Sequence, residues 1–138
     1  MSHNKAIIVS RVTMAENTKQ LGYWGEEIAQ THLQGKGYKI IEHNYRNKWG
    51  EIDIVAQKNR VVVFIEVKTR DSANSNNFLP EQSVTSQKQA KLRMLCEIYL
   101  NEHKYAHDQE WQIDVISISL DKSAKKAKIN HIQNAVYG

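Results

Sequence analysis

The 138-residue sequence predicts an α/β domain built on a mixed sheet with apolar residues on both faces. Three observations predict it. Between Trp49 and Arg70 two runs alternate with period two, and both alternating sets are rich in β-branched residues. Gly22 to Gln34 and Ser83 to Glu102 instead carry apolar residues at helical spacing. Trp111 to Leu120 then returns to strand composition after the second helix, so its strand should run parallel to the one that precedes that helix.

Taken in order, residues 1–20 carry no sustained period and are expected to form a flexible segment, leaving a single domain over 21–138. Met14 is a candidate natural start, because the patterned region begins soon after it. In the helix expected over Gly22 to Gln34, Glu26, Ala29 and Leu33 share one face, which sets Glu26 on or beside the core-facing stripe. A lone carboxylate is uncommon there. Gly35-Lys36-Gly37 supplies glycines suited to the C-cap. Tyr38 to Arg46 reads as the first strand, with a turn at Asn47 to Gly50.

The next two strands carry the acids. Glu51, Asp53 and Val55 alternate against Ile52, Ile54 and Ala56, and Val62, Phe64, Glu66 and Lys68 alternate against Val61, Val63, Ile65 and Val67. A hairpin centred on Lys58-Asn59 pairs Glu51 with Glu66 and Asp53 with Phe64. Asp53 and Glu66 then become diagonal neighbours, roughly 7–8 Å apart at the backbone. Lys68 alone cannot neutralise Glu51, Asp53 and Glu66 on one covered face, and a divalent cation answers that deficit. Oxygen-only ligation favours Mg²⁺ or Mn²⁺. The other reading of the same residues has these acids at solvated strand ends, paired with Arg46, Lys48 or Arg70.

Beyond this hairpin, Asp71 to Pro80 is a polar loop, and the second helix turns Val84, Leu92, Leu95, Cys96 and Tyr99 inward. Gln87 and Lys91 lie four apart on a neighbouring face, with Lys88 near the helix start. His103 and His107 have the spacing of a helical metal pair but fall where the helix should end, with no third ligand close in sequence, so they read as surface residues. Asp121 to Lys128 is a lysine-rich turn before a short last strand reaching Ile132.

The formal net charge is +4 and the isoelectric point about 9.1. From His43 to Arg70, six basic residues face three acids. Basic side chains around a small acidic centre suit a phosphodiester backbone, and Arg46, Lys48 and Arg70 are the candidate nucleic-acid contacts. Lysines and arginines also protect solvated strand edges, which is the competing reading. One cysteine permits no internal disulfide, and no apolar run is long enough to span a membrane, so a cytoplasmic location is expected.

The combination GEE at Gly25 to Glu27, NYR at Asn44 to Arg46, GEIDIV at Gly50 to Val55, FIEVKTR at Phe64 to Arg70, SVTSQKQ at Ser83 to Gln89 and IDVISI at Ile113 to Ile118 resembles the YraN family. That family is similar to restriction-endonuclease-like nucleases of the PD-(D/E)XK type and, distantly, to archaeal Holliday junction resolvases. The resemblance spans roughly Leu21 to Val136 and implies a three-layer αβββαβ core. It further implies Asp53, Glu66 and the Val67 carbonyl as metal ligands, and Lys68 as the residue that orients the attacking water. Glu26 from the first helix would approach the centre, Glu51 would be an accessory or second-metal carboxylate, and Gln87 or Lys88 would assist. The implied activity is metal-dependent hydrolysis of DNA, branched DNA included, by a chain that pairs as a homodimer by analogy. The other class is a nucleic-acid-binding or assembly module that keeps the fold without the chemistry.

Overall fold

The computed structural model describes residues 2–8, 18–72, 85–121 and 123–135. The elements are β1 (Ser2–Ile8), α1 (Thr18–Gly35), β2 (Lys39–Asn47), β3 (Gly50–Lys58), β4 (Val61–Asp71), α2 (Ser86–Glu102), β5 (Trp111–Asp121) and β6 (Lys126–Ile132). All six strands form one sheet in the order β1-β6-β5-β4-β3-β2. The β4–β5 pair is parallel and the other four pairs are antiparallel, which makes the sheet mixed.

Alternation along the central strands divides the core in two. Val63 and Ile65 pack with Ile28, Ala29 and Leu33 of α1, whereas Val62 and Phe64 pack with Leu95, Cys96 and Tyr99 of α2. The helices therefore cover opposite faces, giving the three-layer arrangement of the restriction-endonuclease-like fold. Burial pushes the Cys96 thiol well above its ordinary pKa, so this cysteine is a packing residue and not a nucleophile.

Helix α1 stops where its glycines allow. Gly37 has φ +89°. The Tyr38 amide bonds the Leu33 carbonyl at 2.9 Å and the Gly37 amide bonds the Gln34 carbonyl at 3.1 Å, the paired pattern of a Schellman cap. Leu33 and Tyr38 then both enter the α1-side core, so the cap also aims β2 into the sheet.

Two expectations are corrected. Residues 1–20 carry no sustained period and predict a flexible segment, yet Ser2–Ile8 is a strand that pairs along its whole length with β6, and Ile7 packs against the α1-side core. An edge strand one residue deep in apolar character leaves little periodic signal. Met14 lies outside the described residues, as do Val84 and most of the polar loop after β4.

The hairpin register also differs. Lys58 pairs with Val61, so the turn residues are Asn59 and Arg60, with φ +51° and +68°. Two successive positive φ values match a type I′ turn, whose twist suits the flanking strands. Ile54 consequently pairs with Ile65, where the ladder ends, and Phe64 pairs with Val55, so the expected pairing of Asp53 with Phe64 does not form.

Strict alternation also fails at Asp53. Ile54 and Ala56 face α1, but Ile52 and Val55, three residues apart, both face α2. The neighbouring strand breaks at the matching place. Tyr45 faces α2, the Glu42 carboxylate accepts from Tyr99 Oη at 3.2 Å on that same side, and Asn44 between them has φ +56°. Pairing runs through His43 with Ile54 and Tyr45 with Ile52, bracketing Asn44 and Asp53. The sheet is thus irregular on two adjacent strands at the position of one acid.

Candidate functional site

Asp53 is partly buried at this irregularity, and the Val67 amide of β4 donates to its Oδ2 at 2.8 Å. Burial raises its pKa to about 7, with the Glu66 carboxylate adding most of the charge repulsion. Glu26 and Glu51 push in the same direction, and the Val67 hydrogen bond only partly opposes them.

Glu66 and Lys68 stand two residues apart on the α2-facing side of β4. Lys68 Nζ lies 3.0 Å from Glu66 Oε1, with both side chains about a quarter exposed. They line a cleft of about 220 Å³ with Gly50, Glu51, Lys88 and Lys91, floored by Leu92 and Leu95. Asp53 borders Glu66 from behind and does not line the cleft itself.

Glu26 reaches the acidic group from α1. An added Cβ on Gly25 would lie 1.8 Å from Thr69 Oγ1, so α1 approaches β4 at a distance that glycine alone permits. The next side chain is Glu26, whose pKa burial raises, with Glu51 reinforcing the shift. With the Asn44 amide nitrogen turned toward it, Glu26 Oε1 accepts at 3.0 Å. The left-handed Asn44 thus links the β2 irregularity to the helix carboxylate.

Glu51 belongs to both readings offered by the sequence. It lines the cleft, yet its Oε2 is 2.7 Å from Arg46 Nε in an ion pair with 45% and 75% of the side chains exposed. Lys48 is exposed at the β2–β3 turn, with Nζ 5.0 Å from the Trp49 ring centroid. Arg70 is half-buried, and its Nε and Nη1 are shielded from solvent, unlike the open guanidinium of Arg46. On α2, Lys88 lines the cleft and its amide donates to the N-cap Thr85 Oγ1 at 3.2 Å, while Gln87 is exposed and does not line the cleft.

Three residues of this neighbourhood had no assigned part in the sequence reading. Lys91 was recognised only as a neighbour of Gln87, although it sits one helical turn beyond Lys88 and faces the same cleft. Asn44 becomes significant only through its positive φ, which asparagine tolerates. Trp49 is 49% exposed at a hairpin tip, a signal visible only once the turn is placed. His103 is the C-cap of α2, with Nδ1 2.8 Å from the Tyr99 carbonyl oxygen, and His107 is exposed beyond it. Both are surface residues, as the sequence predicts.

The family model described as uncharacterised protein family UPF0102 matches residues 25–118, which hold every one of these side chains. The chain belongs to this family. Among the UPF0102 relatives, the protein of Syntrophomonas wolfei is 42% identical over 117 residues, covering 85% of this chain and 97% of its own. That of Alkaliphilus oremlandii is 41% identical over 119 residues, with coverage of 85% and 97%. That of Caldanaerobacter subterraneus is 39% identical over 120 residues, with coverage of 86% and 96%. UPF0102 membership confirms the resemblance carried by the six motifs. Among the described residues, no helix is long and apolar enough to cross a membrane.

Proposed function

We propose that the chain is a Mg²⁺- or Mn²⁺-dependent endonuclease that hydrolyses DNA phosphodiester bonds. The observation that carries this reading is the gathering of Asp53, Glu66 and Lys68 on two adjacent strands, with the Val67 amide donating to Asp53 Oδ2 at 2.8 Å, Lys68 Nζ 3.0 Å from Glu66 Oε1, and burial and Glu66 raising the Asp53 pKa to about 7. Such a group favours a hard cation, and the donors at hand are oxygens. Asp53 and Glu66 would hold the ion, with the Val67 carbonyl as a third protein oxygen.

Among the described residues, no three His, Cys, Asp or Glu side chains converge as a metal cluster. An ion bound here would rest on Asp53 and Glu66, with water and substrate phosphate completing its shell. Glu26 and Glu51 are then outer carboxylates, one held by Asn44 and the other by Arg46. A bound ion would lower the pKa of water and offset phosphate charge.

Lys68 contributes the remaining chemistry of the cleft. Its ammonium, anchored on Glu66, is placed to orient water toward phosphorus and to stabilise negative charge that grows as the P–O bond breaks. Lys88 and Lys91 would hold the flanking phosphates from α2, and Arg46 and Lys48 would hold those beyond the hairpin tip. The deciding experiment incubates the full chain with linear duplex, single-stranded and branched DNA in Mn²⁺ or in chelator. Cleavage in Mn²⁺ that chelator abolishes is the expected result. DNA binding without cleavage of any form would support the non-catalytic binding module instead.

A further inference from the structure

Trp49 precedes Gly50 of the cleft wall and belongs to neither core cluster. It is 49% exposed, and Lys48 Nζ sits 5.0 Å from its ring centroid. Leaving so large an apolar ring half in water forfeits the burial that tryptophan ordinarily gains.

The tip that carries it is held firmly. Asn47 pairs with Gly50 across the turn, and Asn47 Oδ1 accepts from the Trp49 amide at 2.7 Å. Asn47 Nδ2 donates to Tyr45 Oη at 3.1 Å, and that hydroxyl in turn donates to Glu102 at the end of α2. Gly50 presses against α2 from the other side. A Cβ there would be 3.0 Å from Leu95 Cδ1 and 3.7 Å from Lys91 Cε, both residues of the cleft. The backbone of Trp49 is therefore held in place one residue from the cleft wall, with its ring half in solvent.

We propose that Trp49 stacks on an unpaired nucleobase of DNA beside the phosphate held in the cleft, so that single strands and branch points are preferred over continuous duplex. The proposal rests on the nuclease reading for the identity of the polyanion. Charge selects this occupant. Lys48 and Arg46 stand on the same hairpin as the tryptophan, and Lys68, Lys88 and Lys91 line the cleft beside it; Glu51 and Glu66 pair with Arg46 and Lys68, which leaves Lys48, Lys88 and Lys91 as the excess positive charge of this face. A second copy of the chain docking symmetrically on this face would bring those cations against each other, whereas a nucleic-acid strand offers phosphates to the lysines and a π-face to the indole. Within a continuous duplex both faces of each base are already covered by its neighbours, so only an unpaired or terminal base is available to stack.

The test compares wild type, Trp49→Ala and Trp49→Phe by fluorescence polarisation on a short single strand and on the matching duplex. Ca²⁺ replaces the reactive metal so that binding is read without cleavage. Trp49→Ala should weaken single-strand binding by about 5- to 150-fold, the range one lost base–aromatic stack implies, and leave duplex binding nearly unchanged. Trp49→Phe should recover most of the loss. Moving an abasic gap along the strand should reveal one position at which wild type and Trp49→Ala bind alike.

An equal loss on both DNA forms, or no loss on either, overturns the stack. So does a Trp49→Ala variant that changes only sedimentation, since the ring would then be packing against another copy. Cleavage assays in Mn²⁺ separate this idea from the one beneath it. If no DNA is cut yet the strand preference depends on Trp49, the nuclease reading fails and the stack stands. If DNA is cut and Trp49→Ala keeps the wild-type preference, the stack fails and the nuclease reading stands.

Discussion

The Val67 amide donates to Asp53 Oδ2 at 2.8 Å, joining β3 to β4 at the point where their ladder pairing has ended. A side chain takes over from the backbone there. The carboxylate is fixed by one hydrogen bond while three other acids push its pKa upward, which is a loaded arrangement without a cation.

The first prediction follows from that loading. Burial and the neighbouring acids raise the folded Asp53 pKa to about 7, well above its ordinary value, so the folded chain binds this proton more tightly than the unfolded chain. The stabilisation is full below about pH 4 and is lost as pH rises through about 7. In chelator, wild type should lose on the order of 2 to 4 kcal/mol more than Asp53→Asn across that window. Mg²⁺ or Mn²⁺ should restore stability to wild type above pH 7 and not to the variant. Parallel stability curves for the two proteins, measured by urea unfolding, would remove Asp53 as the strained ligand.

A second prediction separates chemistry from binding at Lys68. If its ammonium acts on the attacking water and the transition state, Lys68→Ala should cut single-turnover cleavage by about 100-fold or more, comparable to losing one oxyanion donor. DNA affinity in Ca²⁺ should stay nearly unchanged, because Lys88, Lys91, Arg46 and Lys48 remain. A folded variant that cuts at the wild-type rate excludes Lys68 from catalysis.

How much of this was legible in the chain varies with the kind of information required. Elements α1, α2 and β2 to β6 follow from periodicity, since each buries a stripe or a face. Asp53, Glu66 and Lys68 stood out because charges interrupt apolar strands. The break at Asp53 was not legible, since it depends on paired irregularities in β2 and β3 that show only as Asn44 at φ +56°. The one-residue error in the hairpin centre has a related cause. Lys58-Asn59 and Asn59-Arg60 are both polar pairs, and only the backbone conformation distinguishes them.

The third prediction concerns the helix that carries Glu26. Gly25→Ala should destabilise the fold by about 1–3 kcal/mol, the usual cost of overpacking, because its Cβ would fall 1.8 Å from Thr69 Oγ1. Thr69→Ala in the same chain should recover part of the loss by removing Oγ1 and Cγ2. Thermal melts of the single and double variants measure this. A Gly25→Ala protein as stable as wild type would mean that α1 can shift off β4 freely.

The fourth prediction addresses a pair that the sequence showed only as an acid inside IDVISI. Asp114 is fully buried, its Oδ2 lies 2.8 Å from His131 Nε2, and its Oδ1 accepts from the Asn134 amide and from Gln112 Nε2, each at 2.8 Å. Asp114→Ala should cost about 3–5 kcal/mol, the usual result of removing one partner from a buried pair. Asp114→Asn should cost less, because it retains an oxygen that accepts. Denaturant melts decide the order, and equal losses would place the effect in charge alone.

The pairing of β1 with β6 has a consequence for solubility. A strand at the rim of a sheet offers unpaired amides and carbonyls as a template for other chains. Here β1 occupies that rim, so β6 is an interior strand. Next to it, β6 carries Lys126 and Lys128, both exposed, among the buried Ala127, Ile129 and His131. Interspersed lysines discourage edge-to-edge association. The margin open to other chains is therefore that of β1, where the exposed Lys5 places a charge that discourages edge pairing, and the lysines of β6 lie one strand inward.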